Sequence, residues 1–368
     1  CEPSECVVIE DSINGIKAGY AAGMKVIHIP DTIEINDDIR RLTSVVCHSL
    51  SDVPDIIDTW NEGKVADVEG YYENAKINRV YVDREHVKKA FAEYTAAYNA
   101  DDPKIKLKID HTYRVAALCE RIAKAAGMCV YDVELAWLSG MLHDVGRFEQ
   151  IKRYNTFSDA DSVDHAKFGA DLLFKDGLIS TFLNGMVKCT GYKPGALENR
   201  YSSDGVFLYD RLNKSDMEML ELAIRCHNMY RIPQGLNRRE QAFCNVLRDA
   251  DKVDIFKVNI DTPLEEIYNT TTEELMKSDI TDEVLEAFDE EHCILKAIRR
   301  TPADTVIGHV SLAYELVYDE SVRITVEQGY LAKLMHFHSD NEETNRKMAM
   351  VREKMDSYVK KRIGEKDA

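Results

Sequence analysis

Two kinds of hydrophobic pattern divide this chain. Near its start, short β-branched runs, Cys6-Val7-Val8-Ile9 and Lys25-Val26-Ile27-His28-Ile29-Pro30, flank a stretch rich in small residues from Gly15 to Gly23. Short apolar runs bounded by Gly, Pro or Asp read as buried strands. Between them, Ala18, Gly19, Ala21 and Ala22 predict a helix that lies close on a sheet, with Gly23 as its C-cap. Strand, helix, strand is one βαβ unit, which places the two strands parallel. Ser44-Val45-Val46 adds a weak third strand and Val53 to Trp60 an amphipathic helix. The chain enters this pattern almost at once, so residues 1–62 are expected to be the C-terminal part of an α/β domain of Rossmann-like type.

Residues 63–83 are polar, carry Gly63 and Gly70, hold no sustained apolar period, and read as a linker. From Arg84 the period changes. Segments 84–99, 108–126, 131–142, 165–174, 178–190, 215–228, 238–255 and 281–299 place apolar residues three and four apart, which predicts amphipathic helices. An all-α domain over 84–340 follows, with a mobile loop expected at Asn199 to Leu208 and a charged, solvated helix in the 341–368 tail. The fold class is therefore multidomain, a partial α/β piece followed by an all-α domain.

Composition narrows the function classes. The chain has 368 residues, enough for two domains, and its 45% hydrophobic and 30% charged content is that of a soluble globular protein. No apolar run approaches the ~18 residues of a membrane span. Nine cysteines without close pairs, and no export signal, predict reduced thiols and a cytoplasmic setting. A net charge of −18 argues against nucleic acid as a partner. A small anionic substrate would need a local cationic site, which a divalent metal ion would supply.

Glu10 and Asp11 form the first candidate constellation. Two carboxylates directly after a buried strand sit where open α/β folds bind ligands, and they suit Mg²⁺; equally, Asp11-Ser12 would cap the following helix. The stretch Cys6 to Met24, CVVIEDSINGIKAGYAAGM, resembles the fourth motif of haloacid-dehalogenase-type phosphatases and phosphomutases of the β-phosphoglucomutase-like kind. That resemblance implies a magnesium site at Glu10 and Asp11. It also implies that the nucleophilic Asp, its acid/base partner and the phosphate-binding Lys lie upstream of Cys1, so that this piece has no nucleophile of its own.

The second constellation lies on the predicted helices. His143-Asp144 ends the apolar segment Leu135 to Leu142, His111 opens another amphipathic segment, and Asp249-Ala-Asp251-Lys252-Val-Asp254 ends or interrupts a third. Buried polar groups demand partners, and a His–Asp doublet finds them either in a structural hydrogen-bonded pair or in a metal ion. Mixed imidazole and carboxylate ligands suit Mn²⁺, Fe²⁺, Co²⁺, Ni²⁺ or Zn²⁺ better than Ca²⁺. Asp249 and Asp251 are two apart and point in widely different directions on a helix. Asp251 is the expected ligand, and Asp249 would orient a ligand or cap a helix.

In this order, His111, His143-Asp144 and Asp251 resemble the HD superfamily of metal-dependent phosphohydrolases over roughly residues 84–260. The resemblance implies that these four hold a metal whose activated water cuts a phosphate ester, with Asp144 central to catalysis. His165 and His227 fall where the two-metal branch, which includes cyclic-dinucleotide phosphodiesterases, holds a second ion; each also suits a capping or core role. The chain departs from that branch at Cys226-His227, which stands in place of paired histidines, and in lacking Gly-Tyr-Pro near Met229 to Pro233. It departs from the single-metal nucleotidases at Arg147, where they tend to carry Glu.

Arg147, one turn beyond His143, reads as a substrate phosphate clamp or as an ion-pair partner of Glu149 or of an Asp in 159–164. Arg114 is a weaker substrate-binding candidate and Lys252 a weaker catalytic one. The expected function is a phosphomonoesterase or phosphodiesterase acting on a small phosphorylated metabolite or nucleotide. A non-catalytic regulatory HD domain and a nucleotide triphosphohydrolase are the alternatives, and the oligomeric state is not legible.

Overall fold

The computed structural model describes residues 2–29, 39, 42–47, 50, 53–61, 82–99, 101–128, 130–183, 214–268 and 270–364. Nearly all of the expected linker and the whole 199–208 loop lie outside the described residues. Three parallel strands open the structure: β1 (Val7–Glu10), β2 (Lys25–His28) and β3 (Val45–Val46), in the order β1-β2-β3. Val8 pairs with Val26, and Ile27 with Val45. Helix α1 (Ile13–Ala21) crosses from β1 to β2, and Ser12 Oγ caps it by accepting from Gly15 N. A Cβ at Gly19 would stand 2.3 Å from Val8 Cγ1, which is why a small residue is needed where helix meets sheet. Ile16 and Val26 fill that contact, and α2 (Val53–Asn61) adds Val53 beside Ile27.

From Arg84 onward, every described element is helical. Helices α3 (Arg84–Thr95) and α4 (Pro103–Ala125) each start on an aspartate cap, Asp83 and Asp102, and Pro103 occupies the first turn of α4, where its missing N–H is not needed. Then come α5 (Val130–Leu142), α6 (Val145–Tyr154) and α7 (His165–Ala170), the last running into a π turn at Asp171–Lys175. α8 (Ile179–Leu183), α9 (Lys214–Cys226) and α10 (Arg238–Asp261) follow, α10 opening on a capping box between Asn237 and Glu240. The remainder is α11 (Leu264–Tyr268), α12 (Thr272–Lys277), α13 (Asp282–Asp289), α14 (Pro302–Val310), α15 (Asp319–Gln328), α16 (Tyr330–Met335) and α17 (Glu342–Ile363).

Several expectations are corrected. The helix expected over 281–299 stops at Asp289, because Glu291 adopts a left-handed φ of 54°, and only a short 3₁₀ turn, Lys296–Ile298, follows. α4 begins well before His111, which therefore lies in the body of the helix, and α10 runs through Asp251 without a break. The C-terminal helix is not simply solvated. Met348, Val351, Met355, Val359 and Ile363, spaced three and four apart among charged residues, are buried in the main core.

A candidate metal centre

Four imidazoles and two carboxylates converge in the helical core. His111 comes from α4, His143 and Asp144 from the turn between α5 and α6, His165 from the first position of α7, His227 from just beyond α9, and Asp251 from α10. On one side, Asp144 Oδ2 lies 3.6 Å from both His111 Nε2 and His143 Nε2. Asp251 Oδ1 lies 3.2 Å from His111 Nε2 and 3.9 Å from His143 Nε2. On the other side, Asp144 Oδ1 stands 3.5 Å from His165 Nε2 and 3.9 Å from His227 Nε2. Asp144 thus lies between two histidine pairs.

Two close backbone approaches set this geometry. A Cβ at Gly140 would fall 2.6 Å from Ala116 Cα, so α5 packs tightly on α4 and brings His143 to His111. A Cβ at Gly146 would fall 2.4 Å from the His165 carbonyl oxygen and 2.7 Å from Gly169 N, so α6 meets α7 main chain to main chain and carries His165 to Asp144. Any larger residue at either glycine would push a ligand away.

The ring nitrogens show what the site is built to hold. Each Nδ1 faces an acceptor: Gly140 O at 2.8 Å from His143, Ile224 O at 2.7 Å from His227, Asp254 Oδ2 at 2.6 Å from His111, and Asp159 Oδ2 at 2.7 Å from His165. With the protons on Nδ1, the Nε2 lone pairs point inward, 3.3 Å apart between His111 and His143 and 3.1 Å apart between His165 and His227. Asp144 Oδ1, also aimed there, is buried with no hydrogen-bond partner, the Arg147 Nε standing 3.7 Å away. Converging lone pairs around an orphaned carboxylate oxygen are unfavourable unless a cation lies among them. The residues present therefore fit divalent metal ions.

Charge states agree for three of the four rings. Burial pushes the His143 ring down and the His165 and His227 rings down to about 4, so these three are neutral at pH 7. His111 is raised: burial and Lys108 oppose its charge, but hydrogen bonds to Asp251 and Asp254 outweigh them in the metal-free protein. Burial would raise Asp144, yet Lys108, His143, His165 and Arg147 hold it well below the usual carboxylate range. Asp251, opposed by burial in the same way, is held down by His111.

Three participants were not singled out in the sequence. Asp254 fixes His111, Asp159 fixes His165, and Lys108 places Nζ 2.7 Å from Asp144 Oδ2. Asp254 and Lys108 lie one turn from Asp251 and His111 on the same helices, a spacing that was available; Asp159 sits in a loop, where no period marks it.

Both expected substrate-binding arginines have carboxylate partners within the protein. Arg114, its side chain 31% exposed, holds Asp254 through Nε at 2.6 Å and Nη2 at 2.9 Å. Arg147 forms the ion pair weighed as its alternative: Nη1 donates to Asp159 Oδ1, Phe157 O and Gln150 Oε1. Lys252 is buried, its Nζ 3.4 Å from Arg248 O, and burial pushes it down to about 8; it makes no hydrogen bond to the cluster. Asp249 caps the start of α15, accepting from Val317 N, Tyr318 N and Ser321 Oγ.

At the N-terminal sheet, Glu10 Oε2 accepts from Ser12 Oγ at 3.1 Å, Asp11 is exposed, and Ser12 is the cap of α1. Among the described residues, no imidazole or further carboxylate joins Glu10 and Asp11 in a potential ligand group.

Residues 109–258, which include all six converging side chains, match the family model of the HD domain. A 51-residue stretch is 41% identical to an uncharacterized protein of Schizosaccharomyces pombe, covering 13% of this chain and 20% of that protein's length. No solved structure matches the chain. The HD match points to the superfamily of metal-dependent phosphohydrolases, and the histidine–aspartate clusters are able to bind metal. Among the described residues, no helix is long and apolar enough to cross a membrane.

Proposed function

We propose that the helical domain is a hydrolase of phosphate esters holding two divalent ions, one at His111, His143, Asp144 and Asp251, the other at Asp144, His165 and His227. The observation that carries this reading is the orphaned Oδ1 of Asp144 facing one histidine pair while Oδ2 faces the other. Bound there, Mn²⁺, Fe²⁺, Co²⁺, Ni²⁺ or Zn²⁺ would acidify water and polarise phosphoryl oxygens. Asp144 bridges the two sites. Asp254 and Asp159 hold His111 and His165 in the tautomer that ligates, and Arg114 and Arg147 in turn hold those two carboxylates. Asp251, the most open of the six at 16% side-chain exposure, and Lys108 at 18%, mark the edge by which a small phosphorylated substrate approaches.

A complete ligand set argues for catalysis over a purely regulatory domain. For the N-terminal piece, the haloacid-dehalogenase-type reading is supported by its parallel strands and by Glu10 and Asp11 at the carboxyl edge of β1, with Mg²⁺ as the ion. Cys119, Cys226, Cys244 and Cys293 are free thiols, in keeping with a cytoplasmic setting. The decisive experiment is metal analysis of protein purified without chelator, followed by a phosphate-release panel of sugar phosphates, nucleotides and cyclic nucleotides with Mn²⁺, Ni²⁺ and Mg²⁺. The expected result is about two ions per chain and metal-dependent release; metal-free, inactive protein would favour the regulatory alternative.

A further inference from the structure

Lys108 enters the centre from one turn before His111 on α4. Its Nζ lies 2.7 Å from Asp144 Oδ2, the oxygen that stands 3.6 Å from both His111 Nε2 and His143 Nε2. A single carboxylate oxygen is therefore claimed twice, by an ammonium in place and by the ion that the surrounding nitrogen lone pairs are arranged to hold. Two positive charges sharing one oxygen in a buried site repel strongly.

Other cations near the cluster have different duties. Arg114 is bound through two bonds to Asp254, and Arg147 through three acceptors to its loop, with Nε 3.7 Å from Oδ1, the other oxygen of Asp144. Lys108 has one bond, to Asp144, and among the described residues its only other charge-seeking contact is the face of the Phe157 ring at 5.9 Å. Its side chain is 18% exposed where that of Asp144 is 2% exposed, so its flexible stem leads from the buried oxygen toward solvent. An ammonium displaced from Asp144 has an outward path, and a phosphate at the edge of the centre would meet its three donors.

We propose that Lys108 is a displaceable counter-cation: it neutralises Asp144 in the metal-free protein and, once an ion takes that oxygen, turns outward to bind the phosphoryl oxygens of the substrate. Metal binding then primes the site for its anionic ligand. This inference rests on the metal-dependent reading above, but its first half is measured without any hydrolysis.

The test is calorimetric titration of the chelator-stripped full chain with Mn²⁺, comparing wild type, Lys108→Met and Lys108→Arg, with far-UV helicity checked for each. Removing the competing cation is expected to tighten Mn²⁺ binding about tenfold in Lys108→Met, whereas Lys108→Arg, which keeps the charge, stays near wild type. Inorganic phosphate is then titrated into the Mn²⁺-loaded proteins, and Lys108→Met is expected to bind it about tenfold more weakly. Unchanged or weaker Mn²⁺ binding in Lys108→Met would overturn the competition and leave Lys108 a positioning residue. Tighter Mn²⁺ binding with unaltered phosphate affinity would overturn the outward turn. A wild-type protein that cuts no phosphate ester sinks the hydrolase reading instead, and the Mn²⁺ titration still decides the competition.

Discussion

Glu10-Asp11 and His143-Asp144 look alike in sequence, each a pair of ligand-grade side chains directly after an apolar element, yet the structure treats them differently. At the first pair, the hydrogen bond of Glu10 comes from a neighbour two residues away, and Asp11 faces solvent. At the second pair, the partners come from helices spread along the chain, and His111 is oriented by a residue 143 positions away. Water and local main chain satisfy a surface carboxylate cheaply, so its presence says little. A buried one with an oxygen left unpartnered is intelligible only if something else is meant to occupy the site.

Substitutions at the two regions should separate accordingly. The largest effect is expected from Asp144→Asn, which withdraws charge from both histidine pairs at once: metal content should fall from two ions toward none and phosphate release by on the order of 10³-fold, measured by elemental analysis and initial rates. Two ions retained in this variant would remove the bridging role. Next comes His165→Ala, expected to release one ion per chain and leave the His111 side loaded; loss of both would mean that the sites fill only together.

Asp254→Asn should be milder, weakening metal affinity by roughly 10–100-fold through His111 alone, with helicity unchanged in circular dichroism. Smallest of all is the doubly substituted Glu10→Gln, Asp11→Asn protein. Its stability should move by no more than about 0.5 kcal/mol in a denaturant titration, and the ions of the helical domain should stay in place. A drop in that metal content would erase the contrast between the two regions.

Much of this was legible in the residues themselves. Strand–helix–strand spacing marked the parallel sheet, three-and-four spacing marked the helices from Arg84, polar residues set against apolar segments drew attention to His111, His143, Asp144 and Asp251, and the family resemblance added His165 and His227. What escaped was whatever depends on contact between distant segments. Nothing around Gly146 announces that it must touch Gly169, and no periodicity shows that Asp159 will meet His165. The arginines show the same limit: a guanidinium one turn from a ligand has the reach for a phosphate, and the sequence does not announce that Asp254 and Asp159 also lie within its reach. The C-terminal helix shows the opposite error, its dense charge hiding an apolar stripe that belongs to the core.

The divided duty of Asp144 has a consequence for how the centre fills. Since its two oxygens belong to one rigid, resonance-linked group facing opposite directions, whatever settles on one side alters the electron density and the tilt offered to the other. On the two-ion reading proposed above, loading would be a correlated process, and a metal titration should depart from the curve of two independent sites.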